Sequence, residues 1–326
     1  MSDTRDIWIG FDLGGTKMMA QVYDSSLKLL GKEKKKTRAA GDKIAGIERV
    51  VETIIAAVNN AGIEITQVAG IGIGVPGPVD MDRGILLAPP NLGWDQLDLK
   101  ASLNAAFGCP VAVLNDVDAG VYGEYRFGAG KGSRCVVGIF PGTGIGGGCV
   151  YNGEIFRARK NSCLELGHIQ VVPSGPLCGC GQRGCLEAVA SRSAISAQSA
   201  QAAQRGDAPA LFKACGTDLA NIRSRDLLES IASGDTIIAD IIAEAARQIG
   251  IATAGLINVL CPDVIILGGG LVEAMPDRFV EGVFKAARKR VMAPFRDTFK
   301  VVPAERGDDA TALGAAAWAR EAFGAK

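Results

Sequence analysis

The sequence has a single histidine, no net charge and no long apolar run. Its 35 lysines and arginines balance 35 aspartates and glutamates, so no overall field would gather nucleic acid or an anionic membrane. The N-terminus lacks the apolar core of a signal peptide, and no stretch of about 18 residues is free of charges and glycine breaks. We therefore expect a cytoplasmic protein with no nucleic-acid or membrane partner. In a reducing cytosol, clustered cysteines bind metal or react more often than they form disulfides.

Charge and glycine are unevenly distributed along the chain. The one basic cluster, "KEKKKTR" at 32–38, is typical of a solvated strand edge or turn. The 43 glycines stand at the ends of apolar runs rather than in a linker, which indicates tight turns. Segments 7–24 and 135–153 share one layout, an apolar strand, a glycine turn and a second strand. This internal echo predicts two related α/β halves.

The 326 residues, of which 48% are hydrophobic, suffice for two domains or one large α/β domain. Apolar spacing predicts helices near 47–61, 235–260 and 277–291, and an alanine-rich final helix able to pack tightly. Apolar strands lie between them, which favours mixed or mainly parallel sheets covered by helices. We expect a smaller domain of 1–117 completed by the C-terminal helix in 305–326, and a larger domain of 118–304, facing each other across a cleft.

Two glycine turns predict contacts with phosphate, because amides without a Cβ in the way can point at one anion. "GTGIGG" at 142–147 satisfies the G-x-G-x-x-G pattern, but it continues as a strand instead of opening a helix, which argues against a dinucleotide fingerprint. A Walker-type loop is absent from the sequence. Hairpins at Gly14-Gly15-Thr16 and Gly142-Thr143-Gly144 could therefore hold phosphates from two sides; the alternative is that both are ordinary tight hairpins.

The histidine stands in a cysteine-rich stretch, "LELGHIQVVPSGPLCGCGQRGCLE". The spacing is H-x9-C-x-C-x4-C, formed by His168, Cys178, Cys180 and Cys185. Three thiolates and an imidazole make the closed tetrahedral set typical of structural Zn²⁺, with no position left for a reactive water. Redox-active thiols remain the alternative. The pattern thus predicts a structural zinc site in the larger domain.

Six motifs occur in one order along the chain: "FDLGGTK", "GVPGPVD", "LNDVDAG", "GTGIGGG", "LELGH" with "CGCGQRGCLEA", and "VIILGGG". In this order they resemble the ROK-family sugar kinases, and the bacterial glucokinases of that family most of all. The resemblance spans Ile7 to about Ala319. It implies a two-domain, actin-like (ribonuclease H-like) α/β ATPase fold of the sugar kinase type, with a central cleft that closes over a sugar and ATP.

The resemblance also implies roles for individual residues. Asp116 matches the catalytic aspartate, a general base for a sugar hydroxyl, although the Asn115-Asp116 pair could equally cap the next helix. Asp12 matches the residue that orients Mg²⁺. Sugar contacts are implied for Gly77, Asn91, Asn115, Asp116, Glu165, His168 and Glu187. ATP contacts are implied for Asp12, Gly14, Gly15, Thr16, Lys17, Gly142, Thr143, Gly144, Gly268 and Gly269.

The expected activity is transfer of the ATP γ-phosphate to a hexose, with the 6-hydroxyl of glucose as the leading acceptor. Fructose, mannose or an N-acetylhexosamine are the alternatives, because Ala158 and Leu164 stand where the family has glycine and Pro141 replaces an aliphatic residue. A sugar-sensing regulator without catalytic activity is the alternative of another class. Such regulators carry an N-terminal helix-turn-helix, for which a first strand beginning near Ile7 leaves no room. A homodimer or homotetramer is also expected.

Overall fold

The computed structural model describes residues 6–37, 41–87, 92–94, 96–158 and 164–324. The chain divides into two compact units. Unit 1 contains Met1–Gly132, Gly153–Cys163 and Asp308–Lys326, and unit 2 contains Ser133–Asn152 and Leu164–Gly307. The C-terminal segment thus belongs to the same unit as the N-terminus.

The strands are short, and their chain order is β1 (Ile7–Leu13), β2 (Lys17–Tyr23), β3 (Leu29–Lys36), β4 (Val68–Val75), β5 (Val79–Asp80), β6 (Ile85–Leu86), β7 (Leu97–Asp98), β8 (Val111–Asn115), β9 (Cys135–Pro141), β10 (Ile145–Tyr151), β11 (Glu154–Ile155), β12 (Val264–Leu267) and β13 (Lys300–Pro303). The helices are α1 (Lys43–Asn60), α2 (Leu99–Phe107), α3 (Asp116–Phe127), α4 (Leu186–Ala190), α5 (Arg192–Arg205), α6 (Pro209–Cys215), α7 (Ser224–Ala232), α8 (Thr236–Leu260), α9 (Gly270–Ala274), α10 (Pro276–Arg288) and α11 (Ala310–Phe323). None of these helices combines the length and apolarity needed to cross a bilayer.

The two units repeat one strand arrangement. The sheet of unit 1 has the order β3-β2-β1-β4-β8, and the sheet of unit 2 contains β10-β9-β12-β13 in sequence. In unit 1, β1 pairs antiparallel with β2 and parallel with β4, and β4 pairs parallel with β8. In unit 2, β9 pairs antiparallel with β10 and parallel with β12, and β12 pairs parallel with β13. The echo of 7–24 and 135–153 in the sequence therefore corresponds to the same hairpin in both sheets.

Unit 1 is held together by close packing of α11 on the sheet. A Cβ at Gly10 would come 1.9 Å from the Ala312 carbonyl oxygen, and a Cβ at Gly72 would come equally close to the Ala315 oxygen. Glycine on the strands and alanine on the helix thus bring two backbones into contact, as the alanine-rich sequence predicts. The basic stretch 32–36 forms most of β3, the exposed edge strand of this sheet.

The core of unit 2 is built around α8, which buries Ile238, Ile242, Ile249 and Ile257. The helix ends at Cys261, whose φ of +48° breaks the helical backbone immediately before Pro262. The long helix predicted at 235–260 is confirmed within one residue. Apolar strands β9 and β12 supply the other side of the same core.

The limits of the units differ from the boundary expected at residue 117. Residues 118–132, which include most of α3, belong to unit 1. The reason is the packing of α3 on α11, where a Cβ at Gly314 would lie 1.8 Å from the Ala119 oxygen. Residues 153–163 also belong to unit 1, although both their sequence neighbours lie in unit 2.

Candidate functional site

The turn between β1 and β2 is a closed glycine hairpin in unit 1. The Gly14 N–H donates to the Lys17 oxygen at 2.9 Å. Thr37, the residue after the end of β3, donates through Oγ1 to the Gly14 oxygen at 2.7 Å and through its N–H to the Thr16 oxygen at 3.0 Å. These bonds fix the hairpin at the mouth of a pocket of about 250 Å³, which is lined by Asp12, Gly14, Thr16, Lys17, Met18, Met19, Lys34 and Asp308.

Asp12 stands in a concentration of negative charge. The pKa of its carboxyl is raised to about 7, first by burial and then by the negative charges of Asp116 and Asp308, while Lys34 acts in the opposite direction. A group of three carboxylates with one neighbouring ammonium favours a further cation. Oxygen ligands of this kind fit Mg²⁺, which binds through few carboxylates and retains water.

Lys34 and Asp308 are members of this pocket that the sequence did not single out. The Lys34 Nζ lies 2.9 Å from Asp308 Oδ2. Lys34 is paired with Met19 on β2, and Met19 is paired with Asp12 on β1, so these side chains share one face of the sheet. The position of Lys34 on this face could have been predicted from the strand register, but no local pattern predicts that Asp308, near the C-terminal end of the sequence, lies beside it.

Asn115 and Asp116 lie at the start of α3. Asn115 Oδ1 accepts from the N–H groups of Val117 at 2.9 Å and Asp118 at 3.2 Å, which is a helix N-cap. Its Nδ2 donates to the Gly77 oxygen at 3.2 Å, so the structure brings Gly77 against Asn115. The capping role that the sequence left open is present, and it leaves one amide hydrogen of Asn115 for a ligand.

Asp116 is half-buried in the first turn of α3, and its Oδ1 accepts from the Val117 N–H at 2.9 Å. A Cβ at Gly74 would lie 3.2 Å from the Asp116 Cα, and Gly74 is the partner of Asp12 in the β1–β4 pairing. The structure therefore brings Asp12 and Asp116 to the same edge of the sheet.

The hairpin at the end of β9 is the counterpart in unit 2. The Gly142 N–H donates to the Gly144 oxygen at 2.8 Å, which closes the turn. Gly269, with φ of +83°, lies against it, because a Cβ at that residue would come 2.8 Å from the Pro141 oxygen. The neighbouring Gly268 packs on the Phe140 ring. The predicted phosphate hairpin and the predicted adenosine loop are thus adjacent.

The side chain of Glu187, in α4, also reaches this hairpin. Its Oε2 accepts from the Ile145 N–H at 2.9 Å, and its Oε1 lies 3.9 Å from Cys178 Sγ. The carboxylate thus links the base of the hairpin to the cysteine-rich loop. One of its oxygens is held by the protein, which fixes the orientation of the other.

The four residues of the H-x9-C-x-C-x4-C pattern converge. Their ligand atoms all lie within 4.8 Å of one another, with His168 Nδ1 3.6 Å from Cys178 Sγ and Cys180 Sγ 3.7 Å from Cys185 Sγ. A tetrahedron with bonds of about 2.0 to 2.3 Å to nitrogen and sulfur has ligand atoms about 3.5 to 3.8 Å apart. The donor set and its spacing therefore fit Zn²⁺.

The local backbone explains how the loop closes. Gly184 has φ of +73°, and a Cβ there would overlap the Val172 oxygen at 1.7 Å, so only glycine fits. Burial raises the pKa of the Cys185 thiol to about 12, whereas the Gln182 N–H lowers that of Cys180. A metal must therefore displace the Cys185 proton when it binds.

Glu165 and His168 share one turn. Glu165 immediately precedes the short 3-10 helix Leu166–His168, and its carbonyl accepts from the His168 N–H at 3.0 Å. Both side chains are exposed. Because Nδ1 of His168 faces the thiols, its Nε2 remains for another hydrogen bond. Asn91, the other predicted sugar contact, lies outside the described residues.

Leu164 occupies a backbone conformation that favours glycine. Its φ is +63°, in the left-handed region, and its half-buried side chain packs against the core of unit 2. A branched residue in this region costs about 1 to 3 kcal/mol. The sequence departure at 164 therefore replaces glycine where the backbone still requires a glycine-like conformation. The other departures are an exposed Ala158 and Pro141 at the end of β9.

At Leu164, the left-handed backbone should make a glycine variant more stable than an alanine variant, which is the reverse of the usual order. Leu164→Gly and Leu164→Ala both lose the packing of the leucine side chain beyond Cβ, but only alanine retains the left-handed strain, so we expect the glycine variant to be the more stable by about 1 kcal/mol. Chemical denaturation of both variants measures the difference. At Ile169, which packs on the same core with φ of −63°, the alanine variant should be the more stable. The same order at both positions would contradict a strained Leu164.

Together, the repeated strand order and the paired glycine hairpins define an actin-like ATPase fold of the sugar kinase type. The chain belongs to the ROK family, whose profile matches residues 8–322. The resemblance carried by the six motifs is therefore confirmed.

Three relatives illustrate the range of the family. A glucokinase from Streptomyces coelicolor is 34% identical over 316 residues, which cover 96% of this chain and 97% of the relative. The crystal structure of a ROK family glucokinase from Streptomyces griseus, in complex with glucose and AMPPNP, matches with 35% identity and a TM-score of 0.82, covering 97% of this chain and 99% of that one. A ROK family transcriptional regulator, a homologue of the Escherichia coli MLC protein, matches with 28% identity and a TM-score of 0.84, covering 97% of this chain and 78% of that one.

Proposed function

We propose that this chain is an ATP-dependent hexose kinase that transfers the γ-phosphate of ATP to the 6-hydroxyl of glucose. The observation that carries the proposal is the proximity of Asp116 and Asp12 beside a closed glycine hairpin. Similarity to the Streptomyces glucokinases over nearly the full chain supports a sugar acceptor, and glucose and AMPPNP in the S. griseus complex support the choice of both substrates. A reducing cytosol, in which free thiols can bind metal, suits this activity.

The chemistry at the acceptor is assigned to α3. Asp116, half-buried in the first turn of α3, accepts the proton of the attacking hydroxyl. The remaining amide hydrogen of Asn115 donates to a neighbouring hydroxyl. Further sugar hydroxyls bind to Glu165, Glu187 and His168 Nε2, with Gly77 and Asn91 as additional contacts.

The phosphates are assigned to the two hairpins. Amides of Gly15 and Thr16 in one hairpin, and of Thr143 and Gly144 in the other, donate to phosphate oxygens as negative charge moves to the leaving group, while the Gly14 and Gly142 amides close the two turns. Asp12 holds Mg²⁺, which supplies neutralisation of the β- and γ-phosphate charge when bound. Lys17 is a further phosphate contact, and Gly268 and Gly269 lie along the adenosine.

Zinc has a structural role in this proposal. His168, Cys178, Cys180 and Cys185 fill a tetrahedral shell, so no ligand position remains for chemistry. The ion would hold the turn that carries Glu165 and His168. It would thereby make the cysteine-rich loop a rigid support for sugar-binding side chains.

A coupled ADP-release assay tests the proposal across glucose, mannose, fructose, N-acetylglucosamine and N-acetylmannosamine. We expect glucose to give the highest kcat/KM, with product analysis locating the phosphate on the 6-hydroxyl. A higher kcat/KM for another sugar would replace glucose as the acceptor and retain the kinase. If glucose binds by calorimetry and no sugar releases ADP, the protein is a sugar-sensing regulator instead.

A further inference from the structure

The tip of the β9–β10 hairpin is bound to the start of α5 by three hydrogen bonds. Arg192 Nη2 donates to Thr143 Oγ1 at 2.8 Å, and the Arg192 N–H donates to the Gly142 oxygen at 2.9 Å. Ser193 Oγ donates to the Thr143 oxygen at 2.8 Å. The guanidinium of Arg192 therefore lies directly beside the predicted phosphate hairpin, which precedes it by 49 residues.

These bonds orient the dipoles of the hairpin. The carbonyl oxygens of Gly142 and Thr143 would repel an anion, and both are occupied by donors from α5. Within the described part of the chain, the N–H groups of Thr143 and Gly144 donate to no protein acceptor. The hairpin thus presents amide donors while its carbonyls are turned toward α5, which is the polarity that an anion requires.

Arg192 adds a full positive charge to this arrangement. Among the described residues, no carboxylate lies within ion-pairing distance of its guanidinium. The guanidinium donates to the neutral Thr143 hydroxyl, which does not compensate its charge. A guanidinium carries five N–H donors, and one bond to Thr143 leaves others for a bidentate contact.

We propose that Arg192 is a phosphate-binding residue, whose guanidinium contacts the β- or γ-phosphate of ATP beside the amides of Thr143 and Gly144. The proposal rests on the proposed kinase function and adds a cation to the hairpin of unit 2. Arginine suits this position better than lysine, because its planar fork can hold Thr143 and a phosphate oxygen at once.

The test is the affinity of the full-length, zinc- and magnesium-loaded protein for AMPPNP and for adenosine, measured by calorimetry. Arg192→Gln keeps an N–H donor for Thr143 and loses the charge. We expect it to bind AMPPNP about 10- to 100-fold more weakly, as for a lost hydrogen bond to a charged group, and adenosine with unchanged affinity. The AMPPNP affinity of Arg192→Lys should lie between those of the wild type and Arg192→Gln, because lysine keeps the charge but lacks the planar fork. The KM for glucose should stay within about twofold in both variants.

Two further variants separate phosphate binding from support of the hairpin. Thr143→Val removes the hydroxyl and keeps the charge, so we expect a smaller loss of AMPPNP affinity than in Arg192→Gln. Equal losses in both variants would mean that Arg192 only positions Thr143, and would overturn the proposal. Arg205→Gln, at the other end of α5, removes an exposed arginine paired with Asp207 and should bind AMPPNP like the wild type.

The outcomes for the wild type distinguish this inference from the function on which it rests. A wild type that neither binds AMPPNP nor releases ADP overturns both. A wild type that binds AMPPNP, with Arg192→Gln and Arg192→Lys retaining its affinity, overturns the role of Arg192 alone and leaves the kinase proposal standing.

Discussion

Replacing Asp116 with asparagine is expected to lower kcat by about 10²- to 10⁴-fold, the contribution of a general base, while the affinity for glucose changes little. Asparagine is isosteric and keeps the oxygen that accepts from the Val117 N–H, so α3 should begin at the same residue. It cannot accept the hydroxyl proton. The loss should therefore appear in kcat rather than in KM.

Steady-state kinetics and glucose calorimetry of Asp116→Asn make the measurement. The matched control is Asp24→Asn, which makes the same chemical change in the exposed β2–β3 turn of unit 1 and should retain the wild-type kcat. Near wild-type turnover in Asp116→Asn would remove Asp116 from the mechanism. A large loss of glucose affinity with unchanged kcat would instead assign it to sugar binding.

Replacing Cys180 with serine is expected to release zinc and raise the KM for glucose together. Three ligands hold the ion less well than four, and structural zinc contributes about 10 to 16 kcal/mol to folded metal-binding loops. The turn that carries Glu165 would then move, and a displacement of about 1 Å can cost about 10²-fold in rate. Metal analysis should find one zinc per wild-type chain and much less in the variant.

Cys261→Ser is the control for Cys180→Ser, because Cys261 is also an exposed thiol of unit 2 and lies at the end of α8. It should keep zinc and the wild-type KM. Full activity of a wild-type preparation stripped of zinc would separate the metal from sugar binding. Retention of zinc by Cys180→Ser would remove Cys180 from the ligand set.

Features with short sequence separation could be predicted. The end of α8 could be predicted because Cys261 and Pro262 interrupt an apolar period, and the cluster of one histidine and three cysteines because the four residues stand within one loop. Both features are formed by residues that are close in the chain, so the spacing of those residues limits the geometry that they can adopt. The glycine hairpins belong to the same class, since a turn is closed by adjacent residues.

Contacts between distant segments could not be predicted. Asp308 reaches Lys34 across 274 residues, and Arg192 reaches Thr143 across 49. The boundary expected at residue 117 did not anticipate the packing of α3 on α11, which depends on small residues in both helices. Neither helix carries a local signal of its partner, because apolar periodicity marks a buried face without identifying what buries it.

Local patterns in the chain are sufficient to identify the family motifs, the two hairpins and the residue types available for phosphoryl transfer and metal binding. The electrostatic interactions and the backbone strain of those residues depend on the tertiary structure. The pKa of Asp12 depends on burial and on carboxylates from other segments, and Leu164 holds a left-handed backbone that its residue type disfavours. Charge proximity and backbone strain arise when distant segments pack, so the tertiary structure, rather than any local pattern, brought Arg192 to the Gly142–Gly144 hairpin.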